Sequence, residues 1–241
     1  MGKNDDSKTE KKIVVESNGP YTVHGDIPLV RKEPIVSEYG EPLTWKKGET
    51  LESKGPYQLC RCGHSKNKPF CDSTHETIAF DGTETADTNA TAERQEVKAG
   101  KGIVIKRDHS LCIEAGFCGN RVTNVTQMVG KSQDTQVRAQ MIAMMERCPS
   151  GSWSYSLDPK GANIEPDLPQ EIAVVTEIDD DGPIMGPLWV MGGIRIERAD
   201  GKPFETRNRV TLCRCGLSET KPLCDGSHRE RAKEIAEWSK E

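Results

Sequence analysis

Aromatic residues are scarce in this chain: 5% of its 241 positions, four each of Trp, Tyr and Phe. Apolar residues reach 34% against 29% charged. That is lean for one large core and suits several small modules, each stabilised by something besides burial. No apolar run approaches membrane-spanning length, so a transmembrane helix is not expected. Residues 1–12 lack the apolar centre of a secretory signal; they are polar, carry both signs of charge and read as a disordered lead. A basic excess is missing as well. The net charge of −5 leaves no electrostatic footprint for nucleic acid. Nor is there a phosphate-binding glycine loop, or a Ser/His/Asp or Cys/His arrangement that would point to an enzyme.

Cysteine, by contrast, is plentiful. The nine cysteines fall into three groups of three: Cys60, Cys62 and Cys71; Cys112, Cys118 and Cys148; Cys213, Cys215 and Cys224. An odd number excludes complete internal pairing. Together with the missing signal, this points to a reducing, cytoplasmic compartment and to cysteines kept as thiolate ligands.

The strongest organisational signal is an internal repeat. "CRCGHSKNKPFCDSTH", from Cys60 to His75, and "CRCGLSETKPLCDGSH", from Cys213 to His228, agree at ten of sixteen positions. Upstream, "GPYTVHGDIPLV" matches "GPLWVMGGIRIE" from Gly186, with a longer insertion following the first copy. The β-branched runs around Asn18-Gly19-Pro20 predict strand, turn and strand. In the middle, "KGIVIKRD" reads as a strand, and "DTQVRAQMIAMMERC" as a helix with Val137, Met141, Met144 and Met145 on one core-packing face. Thr-, Ala- and acid-rich residues 81–100 and proline-rich residues 159–171 read as linkers. The expected layout is therefore a lead (1–12), a first module (13–80), a linker (81–100), an insert (101–158), a linker (159–171) and a second module (172–241). The expected fold class is α+β.

The repeated pattern is C-x-C-x8-C-x3-H. Structural zinc takes four tetrahedral ligands, usually opened by a pair two to four residues apart, which a C-x-C start fits less comfortably. A [2Fe–2S] cluster needs two protein ligands on each of two irons. C-x-C suits one iron. The third Cys and the His four residues later, one helical turn apart, suit the other. Asp72 and Asp225 are placed to cap that turn, and Pro69 and Pro222 to stiffen the approach.

Both segments resemble the CDGSH iron–sulfur domain of the NEET family. The second carries "CDGSH" literally, from Cys224 to His228; the first reads "CDSTH", from Cys71 to His75. Ser65, Ser218, Pro69 and Pro222 also stand where that pattern has them. The resemblance implies one [2Fe–2S] cluster on Cys60, Cys62, Cys71 and His75, and another on Cys213, Cys215, Cys224 and His228. It departs at Ser73, where the family has Gly, so the geometry of the first turn is expected to differ slightly. NEET domains pair about a two-fold axis, so the two modules are expected to form an intramolecular pseudo-dimer within a monomer.

The remaining cysteines, in "CIEAGFC" and "CPSGSW", resemble a divergent single-cluster ferredoxin domain over roughly residues 101–157. That pattern spaces its ligands C-x2-C-x2-C with a distant Cys-Pro, and here Ala115 takes the middle position. The resemblance implies a [3Fe–4S] cluster, or a [4Fe–4S] cluster with one non-cysteine ligand, on Cys112, Cys118 and Cys148. His24, His64 and His109 are expected not to ligate, and Asp179 to Asp181 to form a solvated turn.

Three redox centres suggest an electron-transfer protein working with redox partner proteins. Storage or delivery of clusters to apo iron–sulfur acceptors is the alternative, and a zinc-stabilised binding scaffold a second. One His per [2Fe–2S] cluster should place its potential between about −400 mV for plant-type clusters and the roughly −150 to +300 mV of two-His centres. It should also make potential and retention sensitive to pH.

Overall fold

The computed structural model describes residues 10–179 and 181–238. Residues 1–9 of the expected lead and Asp180 of the expected acidic turn lie outside that range. The protein is α+β, with small sheets and few, short helices.

The expected strand, turn and strand are β1 (Lys12–Val15) and β2 (Tyr21–His24), antiparallel, with Asn18 left-handed at φ 47 in the turn between them. The insertion of the first repeat is a hairpin, β3 (Leu29–Val36) and β4 (Pro42–Leu51). β5 (Tyr57–Leu59) then leads into the first Cys/His motif, which ends in the single-turn α1 (Thr74–Thr77).

A short α2 (Thr91–Arg94) precedes the middle unit, a sheet of β6 (Glu96–Gly100), β7 (Ile103–Arg107) and β8 (Trp153–Ser156) with α3 (Val125–Met128) and α4 (Thr135–Glu146) between the last two strands. Residues 96–100, expected inside a linker, form β6 and pair with β7 from Glu96 to Gly100. Val97 is their one strong β-former and is exposed, so its burial does not hold the strand; pairing with its neighbour supplies the order. The expected helix is α4. Asp134 caps it by accepting from the backbone N–H of Gln136 at 2.8 Å, and Met141, Met144 and Met145 are buried. They pack with Ile103, Ile105, Trp153 and Tyr155 in a core of their own.

The second repeat comprises β9 (Ile172–Asp179), β10 (Gly182–Met191), β11 (Arg195–Glu197), β12 (Arg209–Leu212), α5 (Ser227–Glu230) and α6 (Ala232–Trp238). Its strands do not stay apart from those of the first. One sheet runs β11-β1-β2-β5 and the other β12-β10-β9-β3-β4. β11 joins β1 in parallel, with Ile13 opposite Ile196, and β3 joins β9 in parallel, with Leu29 opposite Ile172. The second repeat thus adds β11 to the sheet of the first, and the first adds the hairpin β3–β4 to the sheet of the second. The alternating faces of both sheets close over one core, in which Ile13, Val23, Leu29 and Leu59 pack with Ile172, Val190, Ile196 and Leu212. Burying each such side chain is worth about 1.5–3 kcal/mol.

The middle unit docks on this core through side chains reaching for free carbonyls. Arg209 donates to Trp153 O at 3.0 Å, Arg207 to Gly151 O at 2.8 Å, and Trp45 Nε1 to Arg147 O at 2.9 Å.

Candidate metal centres

The two motifs fold alike because each satisfies its backbone in the same way. The N–H of Cys60 donates to Pro69 O at 2.8 Å, and that of Cys213 to Pro222 O at 2.9 Å. Ser65 Oγ donates to Phe70 O at 2.6 Å, and Ser218 Oγ to Leu223 O at 2.7 Å, each stapling the loop between the second and third cysteines. The expected caps form. Asp72 accepts from the N–H of Thr74 at 3.1 Å and of Lys66 at 2.7 Å; Asp225 accepts from Ser227 at 3.0 Å and Glu219 at 2.8 Å. Ser73 is left-handed at φ 69, as its counterpart Gly226 is at φ 94, so the first motif makes the same turn with a residue that tolerates it less well.

Within this frame the donors stand in pairs. Cys60 Sγ and Cys62 Sγ are 3.8 Å apart, and Cys71 Sγ and His75 Nδ1 are 3.5 Å apart. In the second motif, Cys213 and Cys215 sulfurs are 3.6 Å apart, and Cys224 Sγ and His228 Nδ1 are 3.4 Å apart. With bonds of about 2.3 Å to sulfur and about 2.0 Å to nitrogen, two donors on one tetrahedral metal lie about 3.5–3.8 Å apart. Three of the four pairs fall in that range, and Cys224 with His228, at 3.4 Å, lies just below it. Among the described residues, no three of His, Cys, Asp or Glu converge on a single ion. In each C-x-C pair one thiol, Cys60 or Cys213, is driven toward the thiolate, first by the S–H of its neighbour and then by backbone N–H groups, against the pull of burial. The thiol of the neighbour, Cys62 or Cys215, is pushed up accordingly.

Cys112, Cys118 and Cys148 line one cavity in the middle unit, beside Ser150 and Trp153. Ala115 lines it too, where a fourth cysteine would stand. Arg107 donates to Cys112 Sγ at 3.8 Å, placing a positive charge beside the group. The donor set is thus three sulfurs around an opening with no fourth cysteine, which suits a cluster of three irons or one with an open position. All nine cysteines are free.

A family model described as iron-binding zinc finger, CDGSH type, matches residues 18–76 and 185–229. One described as divergent 4Fe-4S mono-cluster matches residues 98–158. The chain carries two CDGSH-type iron-binding domains with a divergent 4Fe-4S domain between them. No curated protein and no solved structure matches the chain.

The two CDGSH-type domains differ in their surroundings. In the second, Cys213, Cys215, Cys224 and His228 are all buried. His228 turns Nδ1 to Cys224 and Nε2 to Glu177, whose carboxylate lies 2.9 Å away on β9 and also accepts from Arg229 at 2.6 Å. A carboxylate on the far ring nitrogen fixes the tautomer and makes the imidazole a stronger donor. In the first, Cys71 and His75 reach solvent, and the nearest carboxylate to His75 Nε2 is the exposed Glu76 at 3.9 Å. Glu177 lies 51 positions from His228, beyond any local pattern.

Sequence reasoning also passed over the arginine inside each C-R-C. Arg61 donates to Glu16 O and Gly82 O, and Arg214 to Gly186 O at 2.6 Å and Val175 O at 2.9 Å. Both are buried, and burial brings the Arg214 guanidinium down to about 10. Each fixes its loop to backbone, and Arg214 also sets a cation near Cys60 and Cys215. The repeated C-R-C was the available signal. Tyr21 had none: its hydroxyl crosses from β2 to donate to Cys213 O at 2.7 Å. Two of the other histidines have aromatic or acidic neighbours. His64 stacks on Trp238 at 4.0 Å, and His109 lies 3.2 Å from Glu96.

Proposed function

We propose that this iron–sulfur protein is an electron carrier. Its first [2Fe–2S] cluster sits on Cys60, Cys62, Cys71 and His75, its second on Cys213, Cys215, Cys224 and His228. A [3Fe–4S] cluster, or a [4Fe–4S] cluster with one non-cysteine ligand, sits on Cys112, Cys118 and Cys148. The observation that carries this reading is the spacing of the donor pairs, two per motif, each in or just below the range for one tetrahedral metal. The exchange of β3 and β11 between the repeats supports an intramolecular pseudo-dimer, so that one chain suffices. The middle unit takes the part of a ferredoxin-like insert. Nine free cysteines suit a reducing compartment such as the cytoplasm. Among the described residues, no helix is long and apolar enough to cross a membrane.

The partners on this reading are one-electron donor and acceptor proteins. Imidazole ligation predicts midpoint potentials that fall as pH rises and loss of [2Fe–2S] clusters in mild acid, because the proton and the metal compete for the ring. Anaerobic reduction and reoxidation over several cycles tests the function. A carrier keeps its iron and sulfide throughout; steady loss on cycling contradicts it. The partial exposure of Cys71 and His75 favours one second reading, transfer of the first cluster to an apo acceptor. Delivery of iron and sulfide to an apo-ferredoxin, with the second and third clusters retained, would establish it.

A further inference from the structure

The ligand loop of the second CDGSH-type domain touches the ligand loops of both other centres. On one side, Cys62 and Cys215 form an antiparallel bridge. The approach is so close that a Cβ on Gly63 would lie 2.4 Å from Cys215 O, and one on Gly216 2.6 Å from Cys62 O. Both positions are glycines with positive φ, at +85° and +81°. On the other side, Gly226, midway between Cys224 and His228, packs on the backbone beside Cys112. A Cβ there would lie 3.3 Å from Ile113 O. A cavity of about 210 Å³ is walled by Glu114 and Phe117 of the middle unit and by Glu177 and Arg229, so the carboxylate on His228 faces the same loop.

Burial follows the same order. The four second-domain donors are 1–3% exposed, whereas Cys71 and His75 at one end, and Cys112, Cys118 and Cys148 at the other, are partly exposed. We propose that the three centres form a linear relay, first domain to second domain to middle unit, with the buried second centre as its interior station and two exposed ends that serve two different redox proteins. This rests on the iron–sulfur reading above. Electron tunnelling falls off exponentially with distance, so the centre whose ligand loops touch both neighbours carries the current. Each hop oxidises one Fe²⁺ to Fe³⁺ in one centre and reduces one Fe³⁺ to Fe²⁺ in the next, with no bond made or broken. A one-electron donor protein supplies the electron at one end and a one-electron acceptor protein removes it at the other.

The test is electron spin relaxation in the full-length protein reduced with dithionite, after iron and sulfide have been counted. Signals are assigned with variants that each delete one centre: Cys71→Ala for the first, Cys224→Ala for the second, Cys118→Ala for the third. In the wild type, the second centre should relax several-fold faster than it does in Cys118→Ala, and faster than in Cys71→Ala. In Cys224→Ala the first and third should relax as isolated spins. If a deletion variant fails to fold, partial reduction of the wild type gives the same comparison, because the second signal must broaden as its neighbours become paramagnetic. A second centre indifferent to both neighbours, or a first and third that interact equally well without it, overturns the order while leaving the clusters intact. Protein free of iron and sulfide overturns the reading beneath it, and the relay with it.

Discussion

Replacing Glu177 with Gln removes a buried charge from behind His228 and keeps the shape of the side chain. The Oε2 of Glu177 is 2.9 Å from His228 Nε2. Adding the width of an imidazole and one metal–nitrogen bond puts the charge about 7 Å from a metal on Nδ1. At an effective dielectric constant of about 20, that is about 2.4 kcal/mol, or about 100 mV for one electron. The carboxylate opposes the added electron, so its removal raises the potential. Arg229, 2.6 Å from the same oxygen and partly exposed, loses its anchor and takes its positive charge toward solvent, which cuts the gain. The net expectation is a rise of about 50–100 mV at the second cluster. Glu76→Gln is the control: at an exposed site with dielectric near that of water, the same arithmetic gives about 20 mV at the first cluster. An anaerobic redox titration followed by electron paramagnetic resonance reads both. A second potential that stays put, or falls, would refute the placement of His228 between the metal and Glu177.

Three further outcomes follow from the same geometry. Gly63→Ala drives a Cβ to within 2.4 Å of Cys215 O, whereas Gly40→Ala, also at positive φ, meets nothing within 4 Å. The left-handed penalty of about 1–2 kcal/mol is common to both, so calorimetry should show a clearly larger fall in melting temperature for Gly63→Ala; equal falls would deny the close approach of the two loops. Ala115→Cys supplies the missing fourth sulfur at the middle centre and should give a four-iron cluster with a four-cysteine spectrum; a spectrum unchanged from that of the wild type would show that position 115 does not face the cluster. The first cluster should leave before the second when an iron chelator is added or the pH is lowered, because His75 is open to solvent and His228 is buried; simultaneous loss would show that exposure does not control release.

The donors were legible because ligand chemistry is local and appears here twice. Cys60 to His75 and Cys213 to His228 carry their ligands, their stapling serines and their capping aspartates within sixteen residues each, and every one of those contacts is short-range. Helix α4 was legible for the same reason: Met141, Met144 and Met145 repeat at helical spacing and pack one core. What stayed hidden is long-range. The parallel pairing of Ile13 with Ile196 joins strands far apart in sequence, and nothing in either strand names its partner. Glu177 looks like any acidic residue on a strand until the fold sets it against His228. Arg61 and Arg214 were visible as a repeated C-R-C. Arginine is so often a surface residue that the repeat alone did not suggest buried cations holding the loops. Strand β6 was missed because "EVKAG" is short, holds one strong β-former and depends on β7 for its form.

The most direct test of the account is a count of iron, acid-labile sulfide and zinc per chain on anaerobically purified protein. Two [2Fe–2S] clusters with a three- or four-iron cluster give about seven or eight irons, with about eight sulfides. About four of each would remove the middle cluster and with it the relay. Zinc without sulfide would contradict the electron-transfer function altogether.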